Sequence, residues 1–180
     1  MMRKNLRVLA VLLFALFGLV QVALGGNSEL AGNVSPVDRW AWGTNVGWIN
    51  FGPSCTGCDG VTVYSDHLEG YAWGENIGWV RMGSHEGGGA HTYTNATADS
   101  YGVNNDGAGT LSGYAWGTNV GWINFAPAHG GVTIKSSGEF EGYAWGENIG
   151  WIHFKGTAVD MSPYKVAIRR FRVHLPVVLK

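Results

Sequence analysis

The chain has 180 residues, a formal net charge of −1 and only 14% charged residues. That length gives room for one domain, and the near-neutral balance excludes a basic, phosphate-tracking nucleic-acid binder. Aromatics at 13% and 29 glycines describe a chain that folds through many turns, not a disordered linker.

At the N-terminus, Arg3, Lys4 and Arg7 precede an apolar run from Val8 to Ala23, which ends in Ala23-Leu24-Gly25. This layout predicts a Sec-type signal peptide over 1–25 and a secreted or cell-surface protein. The competing reading is an uncleaved anchor, because the run approaches the roughly 18–20 residues a spanning helix needs. Membrane contact is expected through that segment alone. Residues 26–36 read as a polar leader, 37–154 as the repeat domain and 155–180 as a tail with a closing or capping strand.

The repeat is one phrase written four times: RWAWGTNVGWINF at 39–51, GYAWGENIGWVRM at 70–82, GYAWGTNVGWINF at 113–125 and GYAWGENIGWIHF at 142–154. All nine tryptophans lie inside these copies. Copies one and three share the turn GTN, and copies two and four share GEN. The stretch at 60–79 also matches 131–151, so the simplest history is a duplicated pair of repeats.

After the first copy, Cys55 and Cys58 stand in CTGC. In an exported chain this spacing predicts a local disulfide. Asp59, not His, follows the pair, so the c-type haem pattern fails. Zinc would need two further ligands, with His67 the nearby candidate. A redox CxxC usually opens a helix, and no helical pattern is present. No metal and no cofactor are expected.

A short β-prone run at 60–64 leads into the second copy. Residues 83–100, rich in Gly, Ser and Thr, form the longest loop, in which His85 and His91 flank a glycine run and read as solvated side chains, with adventitious metal binding the lesser alternative. Asn104-Asn105-Asp106-Gly107 reads as a tight turn, since it lacks the alternating acids of a calcium loop. Past the fourth copy, Tyr164-Lys165-Val166 echoes Tyr101-Gly102-Val103. The tail strand is therefore expected to complete the first unit and close the repeats on themselves.

Each unit reads strand, turn, strand, turn, strand. A three-residue loop with its Asn left-handed (Asn45, Asn76, Asn119, Asn148) predicts Trp116 opposite Val120 and Tyr114 opposite Trp122. The same register opposes Glu69 to Arg81, Glu141 to His153 and Asp38 to Asn50. It places Leu111, Gly113, Ala115, Gly121, Ile123 and Phe125 on a core face. Ser112, Tyr114, Trp116, Val120, Trp122 and Asn124 fall on the other. The fold class is all-β: four antiparallel hairpin or three-stranded repeats in one domain, closed like a barrel or propeller or stacked, behind a signal-peptide helix.

The aromatic face is built from Trp40, Trp42 and Trp48 in the first copy and Tyr71, Trp73 and Trp79 in the second. Tyr114, Trp116 and Trp122 follow in the third, and Tyr143, Trp145 and Trp151 in the fourth. These rings either stack on rings of neighbouring repeats as a second core or bind a glycan or cell-envelope component by ring stacking. Nothing catalytic stands out. Asp66, Glu69, Glu141 and Asp160 form no acid/base pair by spacing, and no nucleophile, zincin or phosphate-loop motif is present.

GYAWGENIGWIHF, with its preceding Gly-Val strand, resembles tandem repeats of bacterial secreted and cell-surface proteins. The resemblance covers roughly residues 37–154. It implies export and no particular activity. A looser likeness to choline-type cell-wall-binding repeats stops at the turn chemistry, which differs. The expectation is a non-enzymatic exported protein with a structural or adhesive role, and the alternative is a glycan-binding module on the Tyr/Trp face.

Overall fold

The computed structural model describes residues 30–54 and 60–169. The signal segment, the Cys55–Cys58 pair and the end of the tail lie outside the described residues. All regular structure within them is β. The first copy forms β1 (Gly32–Gly43) and β2 (Gly47–Asn50). Next come β3 (Thr62–Val63), β4 (Leu68–Glu69), β5 (Tyr71–Gly74) and β6 (Gly78–Arg81). The second half opens with β7 (Val103–Asn105), β8 (Leu111–Gly117) and β9 (Gly121–Asn124). It continues with β10 (Gly131–Ile134), β11 (Phe140–Gly146) and β12 (Gly150–His153). The tail adds β13 (Lys155–Thr157) and β14 (Pro163–Ile168).

The four phrases are the hairpins β1–β2, β5–β6, β8–β9 and β11–β12. Each pairs with the next through its second strand, and β12 returns to β1 with His153 across from Trp42. The result is a closed, eight-stranded antiparallel barrel. Following the pairs from Ala72 to Val80 and on to Gly117 lands two residues beyond Ala115, the position equivalent to the start. Each hairpin adds that step, which supplies the stagger a closed barrel requires.

Closure leaves room for small-large pairs inside. Ala41 faces Ile49, Ala72 faces Val80, Ala115 faces Ile123 and Ala144 faces Ile152, all buried. Phe51, Met82, Phe125 and Phe154 form the next layer. Phe154 meets Phe51 edge-on at 5.1 Å and stacks on Phe140 at 5.9 Å. Burying each such large side chain contributes about 1.5–3 kcal/mol relative to exposure.

The turns differ from the sequence expectation, and the difference moves the register. Trp116 pairs with Trp122 and Tyr114 with Asn124, two residues from the expected partners. The Val120 amide closes a turn onto the Gly117 carbonyl at 3.1 Å, and Gly121 follows with φ +80°. The left-handed residue is thus glycine in every copy (Gly47, Gly78, Gly121, Gly150), not asparagine. Glycine adopts that conformation without the Cβ clash that an asparagine must tolerate. Val120 is buried, not on the aromatic face. It folds over the Gly of its own turn, as Ile77 does, where a Cβ on Gly74 would lie 2.6 Å from Ile77.

Consequently Glu69, Glu141 and Asp38 do not oppose Arg81, His153 and Asn50. Those partners are Tyr71, Tyr143 and Trp40. Arg81 instead pairs with Glu86 at 2.8 Å, and Glu141 with Lys155 at 2.9 Å. The core face survives because a shift of two keeps every strand residue on its side of the sheet.

An outer strand accompanies each hairpin. Val103 stands across from Gly113, and Val132 across from Gly142. In the first unit the tail fills this place: β14 pairs with β1, with Val166 across from Arg39. The barrel itself closes through β12 and β1, so the tail strand covers the seam and does not make it. It reaches the last unit through the Ile168 amide, 2.9 Å from the Gly138 carbonyl, and through Lys165 to Glu139 at 2.6 Å.

Candidate functional site

The pleat sends Ala and Ile inward at alternate positions and therefore sends Tyr and Trp outward. In each hairpin the tryptophan of the second strand is the hub. Trp48 meets Trp42 edge-on at 4.9 Å and Trp40 at 6.3 Å. Trp79 meets Trp73 at 4.8 Å and Tyr71 at 6.2 Å. Trp122 meets Trp116 at 4.5 Å and Tyr114 at 6.2 Å. Trp151 meets Trp145 at 4.8 Å and Tyr143 at 6.0 Å.

The expected residues thus come together as four triads, one per copy. Among the described residues, no tryptophan of one copy is in ring contact with a tryptophan of another. The expected ladder of rings between repeats is replaced by pairs within hairpins. The pairing leaves ring area open: eight of the nine tryptophans expose 36–42% of their surface. Trp151 is half-buried.

Two triads gain further walls, and these walls correspond across the duplication. Over the first copy, Trp40, Trp48, Trp73, Glu75, Pro163 and Tyr164 line a groove of about 480 Å³. Over the third, Tyr114, Trp122, Glu147, Tyr101 and the loop Asn95–Ala98 line one of about 500 Å³. Tyr164 stands edge-on to Trp48 at 5.1 Å, and Tyr101 stands edge-on to Trp122 at 5.1 Å. Glu75 and Glu147 come from the GEN turns of the following copies. The GTN copies thus supply the paired rings of each groove, and the GEN copies supply its acidic edge together with, in the first groove, Trp73.

Searches against protein-family models, curated proteins and solved structures return no significant match.

Tyr101, Tyr164, Glu75 and Glu147 were not among the candidate residues read from the sequence. The signals were the Tyr-x-Val echo, read only as a strand, and the GEN/GTN alternation, read only as ancestry. Both grooves fall within the roughly 300–1,000 Å³ typical of small-molecule sites. Beyond Trp48, a cavity of about 370 Å³ continues to Trp42 and Asp160. The Asp160 carboxylate there accepts from the Ser162 amide at 3.0 Å.

A second cluster gathers where the long loop crosses β3 and β4. His67 is fully buried. Its Nδ1 lies 2.6 Å from Asp66 and its Nε2 3.0 Å from Glu69, while Tyr64 stacks on its ring at 4.6 Å. His85 Nε2 is 3.6 Å from Glu69, and His85 stacks on His91 at 4.1 Å. The two loop histidines expected as solvated are partly buried here. Burial works to raise the Glu69 carboxyl. The His67 contact and the Gly88 and Gly87 amides outweigh it and hold the carboxyl below its ordinary value. Burial, then the His85 and His67 rings, lower His91.

Proposed function

We propose that this chain is an exported, non-enzymatic adhesive module that binds carbohydrate in its two equivalent grooves. The observation that carries this reading is the half-exposed rings in each groove beside one carboxylate, Glu75 or Glu147. Tryptophan and tyrosine faces stack on the apolar faces of sugars, and a carboxylate accepts from sugar hydroxyls. Among the described residues, Glu75 is the acid lining the first groove and Glu147 the acid lining the second, while Asp160 lies beyond Trp48 and is held by Ser162; glycoside hydrolysis ordinarily needs two facing carboxyls. The repeat signature and the signal-peptide layout of residues 1–25 support export to the cell surface.

A glycan array read alongside tryptophan-fluorescence titration tests the proposal. The expected result is a hit that quenches or shifts the emission, with two sites per chain and no release of new sugar ends. Trp48→Ala and Trp122→Ala should each reduce the stoichiometry to one. No hit and no fluorescence change across the array would discard it.

A further inference from the structure

We infer that His67, Glu69 and His85 form a binding site for a divalent transition metal of the zinc class, which pins the long loop 83–100 to the β3–β4 hairpin. Their ligand atoms all lie within 4.8 Å of one another. Zinc bonds of about 2.0–2.1 Å in a tetrahedron place neighbouring ligand atoms about 3.3 Å apart. The two observed separations, 3.0 Å from His67 to Glu69 and 3.6 Å from His85 to Glu69, straddle that value. Two imidazoles and a carboxylate suit zinc better than the all-oxygen sets of calcium or magnesium.

The surroundings of His67 point the same way. Asp66 sits 2.6 Å from Nδ1 and can only accept there when ionised, so it keeps the proton on Nδ1. The Nε2 lone pair then faces a Glu69 oxygen at 3.0 Å. That oxygen already accepts the Gly88 amide at 3.0 Å. A lone pair against a carboxylate is repulsive unless a cation lies between them. Either a second proton on the ring or a metal ion removes the repulsion; the metal would also draw in His85 Nε2, which now contacts the Gly88 carbonyl at 3.2 Å and would give up that contact to ligate. A carboxylate behind a ligating histidine is the usual outer support of a metal site, fixing the ring and raising its basicity. Asp66 is itself held by the His91 amide at 2.9 Å, so the support comes from the loop that the metal would fasten. The same loop supplies the Asn95–Ala98 wall of the second groove.

The purified chain, stripped with EDTA and titrated with ZnCl₂ and then CoCl₂, tests this. One equivalent should bind. Cobalt should give the intense visible bands of a low-coordinate nitrogen–oxygen site, without thiolate charge transfer. Zinc should slow proteolysis within 83–100. His85→Ala lies on the partly exposed loop, so folding is retained and is checked by circular dichroism. It should lower affinity more than about tenfold, and Asp66→Asn should lower it about 10–100-fold. The inference is overturned by a folded chain that takes up no metal, by a thiolate band, or by uptake unchanged in His85→Ala.

Discussion

Asn76 donates its side-chain amide to the main-chain carbonyl of Val46, 3.0 Å away in the turn of the preceding copy. Asn119 does the same to Ile77 at 3.2 Å, and Asn148 to Val120 at 3.0 Å. Asn45 closes the circle on Ile149 at 3.2 Å. One residue type at one offset therefore clasps each turn to its neighbour around the barrel. The clasp is available because glycine, not asparagine, takes the left-handed position.

Removing one clasp should weaken the fold modestly. Asn119→Ala gives up one hydrogen bond and leaves the Ile77 carbonyl to water, a loss of about 0.5–1.5 kcal/mol. Urea melts should show the midpoint falling with unchanged slope. A loss above ~3 kcal/mol would mean that the side chain does more than clasp.

The turn geometry makes a sharper prediction. Gly121→Ala places a Cβ at φ +80° and should cost about 1–2 kcal/mol. Asn119→Gly should lose only the clasp and some chain entropy. If Gly121→Ala proves harmless, the left-handed residue lies elsewhere in the turn.

The tail strand should be essential to stability although the barrel closes without it. Truncation after Ser162 uncovers the edge of β1 and removes buried Val166 and Ile168. The thermal midpoint should drop sharply. Val166→Asp should reproduce much of the effect by burying an unpaired charge. An unchanged midpoint in both variants would show that the seam holds alone.

Acid should loosen the same seam. Hydrogen bonds from Lys165 and then Lys155 hold the Glu139 carboxyl down at about 2. A depressed carboxyl contributes stability above its unfolded value, about 4.3, and loses it as pH falls toward the folded value. Stability should therefore decline between about pH 4.5 and pH 2. Glu139→Gln should flatten that part of the pH profile and lower stability at pH 7. A profile identical to the parent would remove Glu139 from the account.

Groove chemistry has its own check. Glu147→Gln should weaken sugar binding in the second groove about tenfold, the scale of one hydrogen bond to a charged group. The groove holding Glu75 should keep its affinity. Calorimetry on the parent and variant would show one site weakened and one retained; equal weakening of both would contradict independent grooves.

The sequence by itself determined the strands, the hairpins and the two faces. Strand side chains alternate with period two, so Ala72 and Val80 had to lie on one side and Trp73 and Trp79 on the other, even under a register wrong by two residues. It could not choose the register, because both candidate turns use the same Gly-x-Asn-x-Gly letters. That choice turned on which residue went left-handed, and it was decided by Ile77, Val120 and Ile149 finding burial and by each Asn finding a carbonyl 28 to 104 residues away. Only the tertiary structure brought Tyr164 to Trp48, Glu147 to Trp122 and His85 to Glu69, because barrel closure and the crossing of the long loop set those distances. Local pattern carries no record of which distant strand edge a hairpin will meet.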